Sequence, residues 1–170
     1  MPKGGRFFFW RSDRPPSAAL AWLATGRYAR RMLRQSSTVL PIRAARPGLH
    51  EFTDSVRTFV AESGIREGLL TIFCRHTSAS LLIQENAAPA ARRDLEVYFE
   101  RLAPQDSGYE HDDEGPDDMP AHLRSALTAT QLSIPVRDGT PMLGTWQGIF
   151  LFEHRRNTPE RQIALHLVGE

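Results

Sequence analysis

The chain reads as an α+β protein built on one domain, and three observations point there. Runs rich in β-branched and aromatic residues are interspersed with segments of helical period. No Gly-rich loop follows a strand in the nucleotide-binding manner, and no internal repeat occurs. The length of 170 residues suffices for one domain with a real core and is short for two.

"SSTVLPIRA" is expected to be the first strand, at an edge or with a bulge, because Pro41 cannot donate to a ladder. "GLHEFTDSVRTFVAESG" reads as an amphipathic helix, with Phe52, Val56, Phe59 and Val60 at helical spacing and Gly64 as its C-terminal cap. "GLLTIFCRHTSASLLIQEN" reads as two strands around a bend at Thr77–Ala79. "PAARRDLEVYFERLAP" is a helix with Pro89 in its first turn, Ala91, Leu95, Tyr98, Phe99 and Leu102 on one face, and Pro104 closing it.

An acidic loop follows, after which Asp118 is expected to cap a short helix, "MPAHLRSALTAT". "QLSIPVRDGTPMLGTWQGIFLFEHR" reads as a hairpin turning at Asp138-Gly139, a pair that tolerates positive φ. "RQIALHLVG" forms the last strand after the turn "NTPE". The order is β-α-β-β-α-α-β-β-β, with most strands expected to pair with their chain neighbours.

Composition is that of an ordinary globular protein, 41% apolar and 24% charged. The apolar run "AALAWLA" is far too short for a membrane span, so a soluble protein is expected. The net charge of +1 hides a split: residues 1–34 hold eight Lys and Arg against Asp13, a net of +7, leaving −6 for residues 35–170. An acidic body of this kind argues against a nucleic-acid groove. The single cysteine, Cys74, allows no internal disulfide and fits a reducing cytoplasm.

Residues 1–33 are basic, poor in acids and interrupted by Pro15-Pro16. A targeting leader, a basic membrane- or partner-binding arm and upstream sequence before a natural start at Met32 all fit, the last being preferred. The folded domain is expected over residues 34–170, without the extension.

Chemistry concentrates in three places. Alternation along "LLTIFCRH" puts His76 on a face with Leu70, Ile72 and Cys74, where a histidine bonds the backbone or serves as a ligand or acid/base group at a sheet mouth. In "GTWQGIFLFEHR" both faces are mainly apolar, so Glu153 is a buried carboxylate that needs a partner: Arg161 on the next strand, a metal or a proton. Seven carboxylates lie between Asp106 and Asp118 with no Lys or Arg among them, and His111 and His122 stand eleven positions apart around most of that charge.

Asp118 and His122 share a helix face at i,i+4. Imidazole nitrogen with carboxylate oxygen is a ligand set for zinc or another divalent metal, although this spacing is no metal motif by itself and a solvated loop fits it as well. Ser78 and Ser80 lack a G-x-S-x-G elbow, Cys74 reads as packing, and Arg92-Arg93 either meet an anion or face water.

Together, "HTSASLLIQEN", "DLEVYFERLAP", "YEHDDEGPDDMPAHL" and "LGTWQGIFLFEHR" resemble the YjbQ-type family, known as secondary thiamine-phosphate synthase enzymes, over residues 32–170. The resemblance implies a β-sandwich of about seven strands with three helices, assembled as a homotrimer through packed sheets. It also implies a metal-associated histidine site and a transferase activity that joins a pyrimidine diphosphate to a thiazole phosphate with loss of pyrophosphate. That activity is regarded as secondary in the family.

Carried over residue by residue, the resemblance places site residues at His76, Glu85, Asn86, His111, His122, Gln147 and Glu153. Many members have asparagine where this chain has Asp118; the exchange is silent if that side chain only caps the helix, and if it touches a ligand the added negative charge favours a metal and repels a phosphate. The resulting expectation is that His76, His111 and His122 hold one divalent metal, zinc before magnesium or manganese, with Glu153 against it or one contact away.

Such an ion stabilises a diphosphate leaving group, and seven carboxylates beside a diphosphate make sense only with cations between them. Glu85, Asn86, Asp118 and Gln147 are then ligand-binding, while Asp112, Asp113, Glu114 and Asp117 face solvent. Partners are further copies of the chain and a small phosphorylated metabolite, without nucleic acid or membrane. A metal-dependent hydrolase of another phosphorylated substrate and a non-catalytic metal- or metabolite-binding trimer are the alternatives.

Overall fold

A computed structural model describes residues 32–170, and the sequence reading of residues 1–31 lies outside the described residues. The elements are β1 (Arg34–Arg43), β2 (Gly48–Glu51), α1 (Thr53–Ser63), β3 (Gly68–Cys74), β4 (Ala79–Glu85), α2 (Pro89–Leu102), α3 (Asp118–Leu127), β5 (Gln131–Arg137), β6 (Thr140–Pro141), β7 (Gln147–Glu153) and β8 (Glu160–Gly169). This is, among the described residues, a mixed α+β fold with three helices and eight strands. Among the described residues no helix is long and apolar enough to cross a membrane.

The strands form two sheets, ordered β1-β8-β3-β5-β6 and β2-β7-β4. Every paired neighbour is antiparallel. Inward residues of both sheets, among them Leu70, Ile72, Ile134 and Leu165 from one and Leu81, Ile149 and Leu151 from the other, fill one core. Val56 and Val60 of α1 join it.

Chain-neighbour pairing, expected for most strands, is overturned. Only β5 and β6 pair with each other in succession, around Asp138 (φ 51°) and Gly139 (φ 72°). β3 and β4 belong to different sheets, because the corner at Arg75–Ser78 carries the chain across the core instead of reversing it beside itself. Cys74 and Ala79 both face inward at that corner, and the thiol donates to the Ala79 carbonyl at 3.4 Å.

The expected long hairpin is likewise cut short. After two residues of β6 the chain leaves for β7 in the other sheet. Pro41 sits on the edge strand β1, as its missing N–H requires.

Two helix boundaries and one helix face also differ from the sequence reading. Gly48–Glu51 is a strand against β7, so α1 starts at Thr53; Gly64 closes it in the left-handed conformation. Asp118 does not cap α3: Asp117 precedes the helix without a side-chain cap bond, and Asp118 is its first residue. On α2 only the Leu95–Phe99 stripe packs, against Leu49, Phe150 and Phe152, while Tyr98 and Leu102 remain exposed.

Candidate metal centre

β7 is buried from Gly148 through Glu153, and the segment just beyond it, Arg155-Arg156, meets the acidic loop and the start of α3. Asp118, only 2% exposed, stands at that junction. Its Oδ1 accepts from Arg155 Nη1. Its Oδ2 lies 2.8 Å from His111 Nε2 and 3.4 Å from His122 Nε2.

That Oδ2 atom is buried without a hydrogen-bond donor, so the close nitrogen of His111 is not aligned as one. The His122 ring is turned by the carbonyl of Thr77, which accepts from Nδ1–H at 3.1 Å. In the neutral ring Nε2 is then a lone pair facing a carboxylate oxygen, two acceptors that a cation or a proton between them would satisfy. The His111 and His122 rings are 5.5 Å apart.

His111, Asp118 and His122 form the one set of metal-capable side chains whose donor atoms lie mutually within 4.8 Å among the described residues. The orphaned Oδ2 atom, the fixed tautomer of His122 and the mixed N/O donors fit a divalent ion. His111 and His122 are both partly open to solvent, which leaves room for a ligand on the outer side.

Of the three histidines expected on one ion, His76 is placed elsewhere. Its Nε2 accepts the Gln162 N–H at 2.8 Å, the backbone bond that strand alternation allowed. Burial, and then the Arg161 charge, push its pKa down. It lines an open cavity of about 480 Å³ with Phe73, Arg75 and Thr77.

Glu153 is fully buried and paired with Arg161, its two oxygens accepting from Nε at 2.7 Å and Nη2 at 2.6 Å. It does not join the histidine cluster. Asp117, expected in solvent, is 8% exposed and accepts the Arg156 N–H at 2.7 Å. Asp117 is buried because the loop folds back on Arg155-Arg156, which supplies cationic and N–H partners that spacing alone does not reveal.

Glu85 and Gln147 face each other in the β4–β7 ladder, six residues along β4 from Ala79 and hence roughly 20 Å from the Glu153 end. With Ile83 and the exposed Trp146 they border a cavity of about 580 Å³. Gln147 Oε1 accepts the Gly144 N–H at 2.8 Å, and Asn86 Nδ2 donates to Glu51 Oε1 at 3.3 Å. Within one chain these residues and the histidine cluster occupy opposite ends of a sheet.

Sequence reasoning missed Thr77, His154 and Arg155. An arginine next to a buried strand end and a run of acids with no cation of its own is a signal for Arg155. His154 is 2% exposed, receives the Ser80 hydroxyl contact on Nε2 at 2.9 Å and leaves Nδ1 without a partner. Burial foremost, then Arg124 and Arg161, lower its pKa to about 3.

The family described as UPF0047 protein YjbQ-like matches residues 38–170 of this sequence. A UPF0047 protein of Synechocystis is 49% identical over 138 residues, covering 81% of this chain and 94% of its own length. The UPF0047 protein YjbQ of Escherichia coli O157:H7 is 43% identical over 132 residues, 77% of this chain and 96% of its own. Among solved structures, a YbjQ-like protein of unknown function from Sulfolobus solfataricus superposes with a TM-score of 0.76 at 27% identity, covering 82% of this chain and all of its own.

A second solved structure, an uncharacterised yjbq/upf0047 protein of Clostridium acetobutylicum, gives a TM-score of 0.68 at 30% identity over 78% of this chain and 98% of its own. With these matches the two-sheet fold and the ordered motifs have a common origin, and the chain belongs to the UPF0047, YjbQ-like family.

Proposed function

We propose that this protein is an enzyme of phosphorylated small molecules that holds one divalent metal, zinc, through His111, Asp118 and His122, with thiamine-phosphate synthase as a weak, secondary activity. The observation that carries the reading is the buried Asp118 Oδ2, without a donor and facing Nε2 of both histidines. A metal bound there supplies positive charge against the charge that builds on a departing diphosphate.

The chain's own groups prepare that site. Arg155 holds one oxygen of Asp118 and leaves the other to the histidines. Thr77 fixes the His122 ring with Nε2 toward Asp118. Asp112, Asp113 and Glu114 remain exposed on the loop and repel an anion that arrives without a cation. With Nε2 of His76 taken by the Gln162 N–H, the neutral ring keeps its proton on Nδ1, the donor that it can offer a ligand oxygen.

We also propose a homotrimer joined through the five-stranded sheet. On its outer face the register aligns Gln35, Val168, Leu69 and Pro135; Ser37, His166, Thr71 and Ser133; and Val39, Ala164, Phe73 and Gln131. No Lys, Arg, Asp or Glu occurs in these rows, although 24% of the chain is charged. Val39, Leu69 and Phe73 are each more than two-fifths exposed there. Three adjacent rows without charge, with Arg43, Glu160 and Arg137 only at the margins of the face, suit association with a second copy.

Elemental analysis of the purified protein beside His122→Ala tests the metal. One metal per chain in the first and loss of it in the second is expected; a metal-free wild type after growth with zinc overturns it. Growth of a thiamine-requiring strain that lacks its synthase tests the chemistry. Rescue by the wild type and not by His111→Ala is expected, and equal rescue by both, or rescue by neither, removes the synthase assignment.

A further inference from the structure

We infer that Glu153 and Arg161 are positioning residues that orient both Asp118 and His122 without touching either. The guanidinium of Arg161 forks onto Glu153 and also donates from Nη1 to Ser78 Oγ and from Nη2 to the Ser78 carbonyl, both at 3.2 Å. It thereby pins the corner between β3 and β4, where the neighbouring Thr77 carbonyl receives His122 Nδ1–H.

On the other side, Glu153 Oε1 accepts the Arg155 N–H at 2.9 Å. That bond fixes the main chain from which the Arg155 side chain reaches Asp118 Oδ1 and the Glu114 carbonyl. Asp117 clamps the next N–H, that of Arg156. One buried pair thus fixes the residue that holds Asp118 and the residue that turns His122.

The chemistry of the position favours this role over a purely stabilising one. Along β7 the inward residues run Ile149, Leu151, Glu153, so an apolar side chain at the third would simply extend the core. Replacing a buried ion pair by apolar groups of similar volume is often neutral or stabilising, since desolvation offsets the attraction. What an apolar pair cannot do is hold Ser78 and the Arg155 N–H at once. Groups that orient metal ligands from one contact away typically change metal affinity about tenfold to a hundredfold when lost.

For metal binding this rests on the reading of His111, Asp118 and His122 as ligands; in the metal-free protein the same brace orients the same rings. The test is the double variant Glu153→Leu/Arg161→Met, which removes the acceptor of the Arg155 N–H and the donors to Ser78 and leaves no unpaired buried charge. Zinc affinity is measured by competition with a chromophoric chelator, and the His122 ring tautomer by nitrogen NMR on metal-free protein. The expected result is a folded protein that binds zinc about tenfold or more weakly and loses the single Nδ1–H form of His122.

A folded double variant with wild-type zinc affinity and an unchanged His122 tautomer overturns the inference. If the double variant does not fold, Arg161→Lys, which keeps the charge but lacks the planar fork that makes all four bonds to Glu153 and Ser78, is read by the same two measurements. A wild type without zinc affinity refutes the metal reading alone, since the tautomer comparison still decides the brace. Arg66→Met, which breaks the exposed pair with Asp138 at the β5–β6 turn, is the control and leaves both readouts in place.

Discussion

His122 Nδ1 donates to the carbonyl oxygen of Thr77 at 3.1 Å, across forty-five positions of sequence. The bond joins the helix that follows the acidic loop to the corner between the two sheets, and it selects which ring nitrogen faces Asp118. Metal-binding histidines are commonly held this way, with the second nitrogen on a carbonyl or carboxylate.

The partner atom gives the first prediction. In Asp118→Asn the carboxamide keeps an oxygen for Arg155 and turns its NH2 toward the lone pairs of the histidines, satisfying them as a donor where the carboxylate oxygen could not. Zinc affinity falls about tenfold or more, while stability of the metal-free protein shifts by less than about 1 kcal/mol. Chelator competition and urea unfolding measure the two; undiminished zinc binding would remove Asp118 from the ligand set.

His154 sets a pH dependence. Its folded pKa is about 3 against 6.5 for an unperturbed ring, chiefly because of burial. Between those values the unfolded chain takes up a proton that the folded ring refuses, so the contribution is intact above about pH 6.5 and is lost on acidification at up to about 1.4 kcal/mol per pH unit. His154→Gln keeps an acceptor for Ser80 and removes the titration. Urea titrations between about pH 7 and pH 5 should therefore show a shallower loss of stability in the variant; parallel curves would contradict the burial of a neutral ring.

Several elements are legible in the sequence because local chemistry decides them. Gly64 and the Asp138-Gly139 pair adopt the positive φ that their sequence positions suggest, and Pro41 occupies an edge. His76, two residues beyond β3, turns its nitrogen onto the main-chain N–H of Gln162, the backbone bond that alternation from Cys74 allowed. Sheet membership is not legible, since whether Thr77–Ser78 reverses the chain or carries it across depends on β7 and β8, roughly seventy positions and more downstream. The site divides in the same way: Asp118 and His122 share a helix turn, whereas Arg155 and the Thr77 carbonyl reach them only through tertiary folding.

Gly68 opens the central strand β3 opposite Gly169. A Cβ at Gly68 would lie 2.4 Å from the Val168 carbonyl oxygen and 3.1 Å from the Gly169 Cα, both backbone atoms without a flexible side chain to yield. Gly68→Ala therefore forces the strands apart and costs about 2–4 kcal/mol, read as a lower urea midpoint with an unchanged slope. A midpoint equal to that of the wild type would mean that the two strands are not in this register.

The outer sheet face supplies the last prediction. Phe73 is 43% exposed and stands beside Ala164 and Val39 in a row without formal charge. Its neighbours along β3, Ile72 and Cys74, point inward and carry the core, so a change at Phe73 alters the face and spares the packing beneath it. Phe73→Lys places a charge where a second copy would have to desolvate it, a cost of several kcal/mol for an unpaired ion. Sedimentation should therefore show trimer in the wild type and monomer in the variant, with the far-ultraviolet circular dichroism unchanged. Trimer in both would move the contact away from this sheet, and monomer in both would leave the face for another partner.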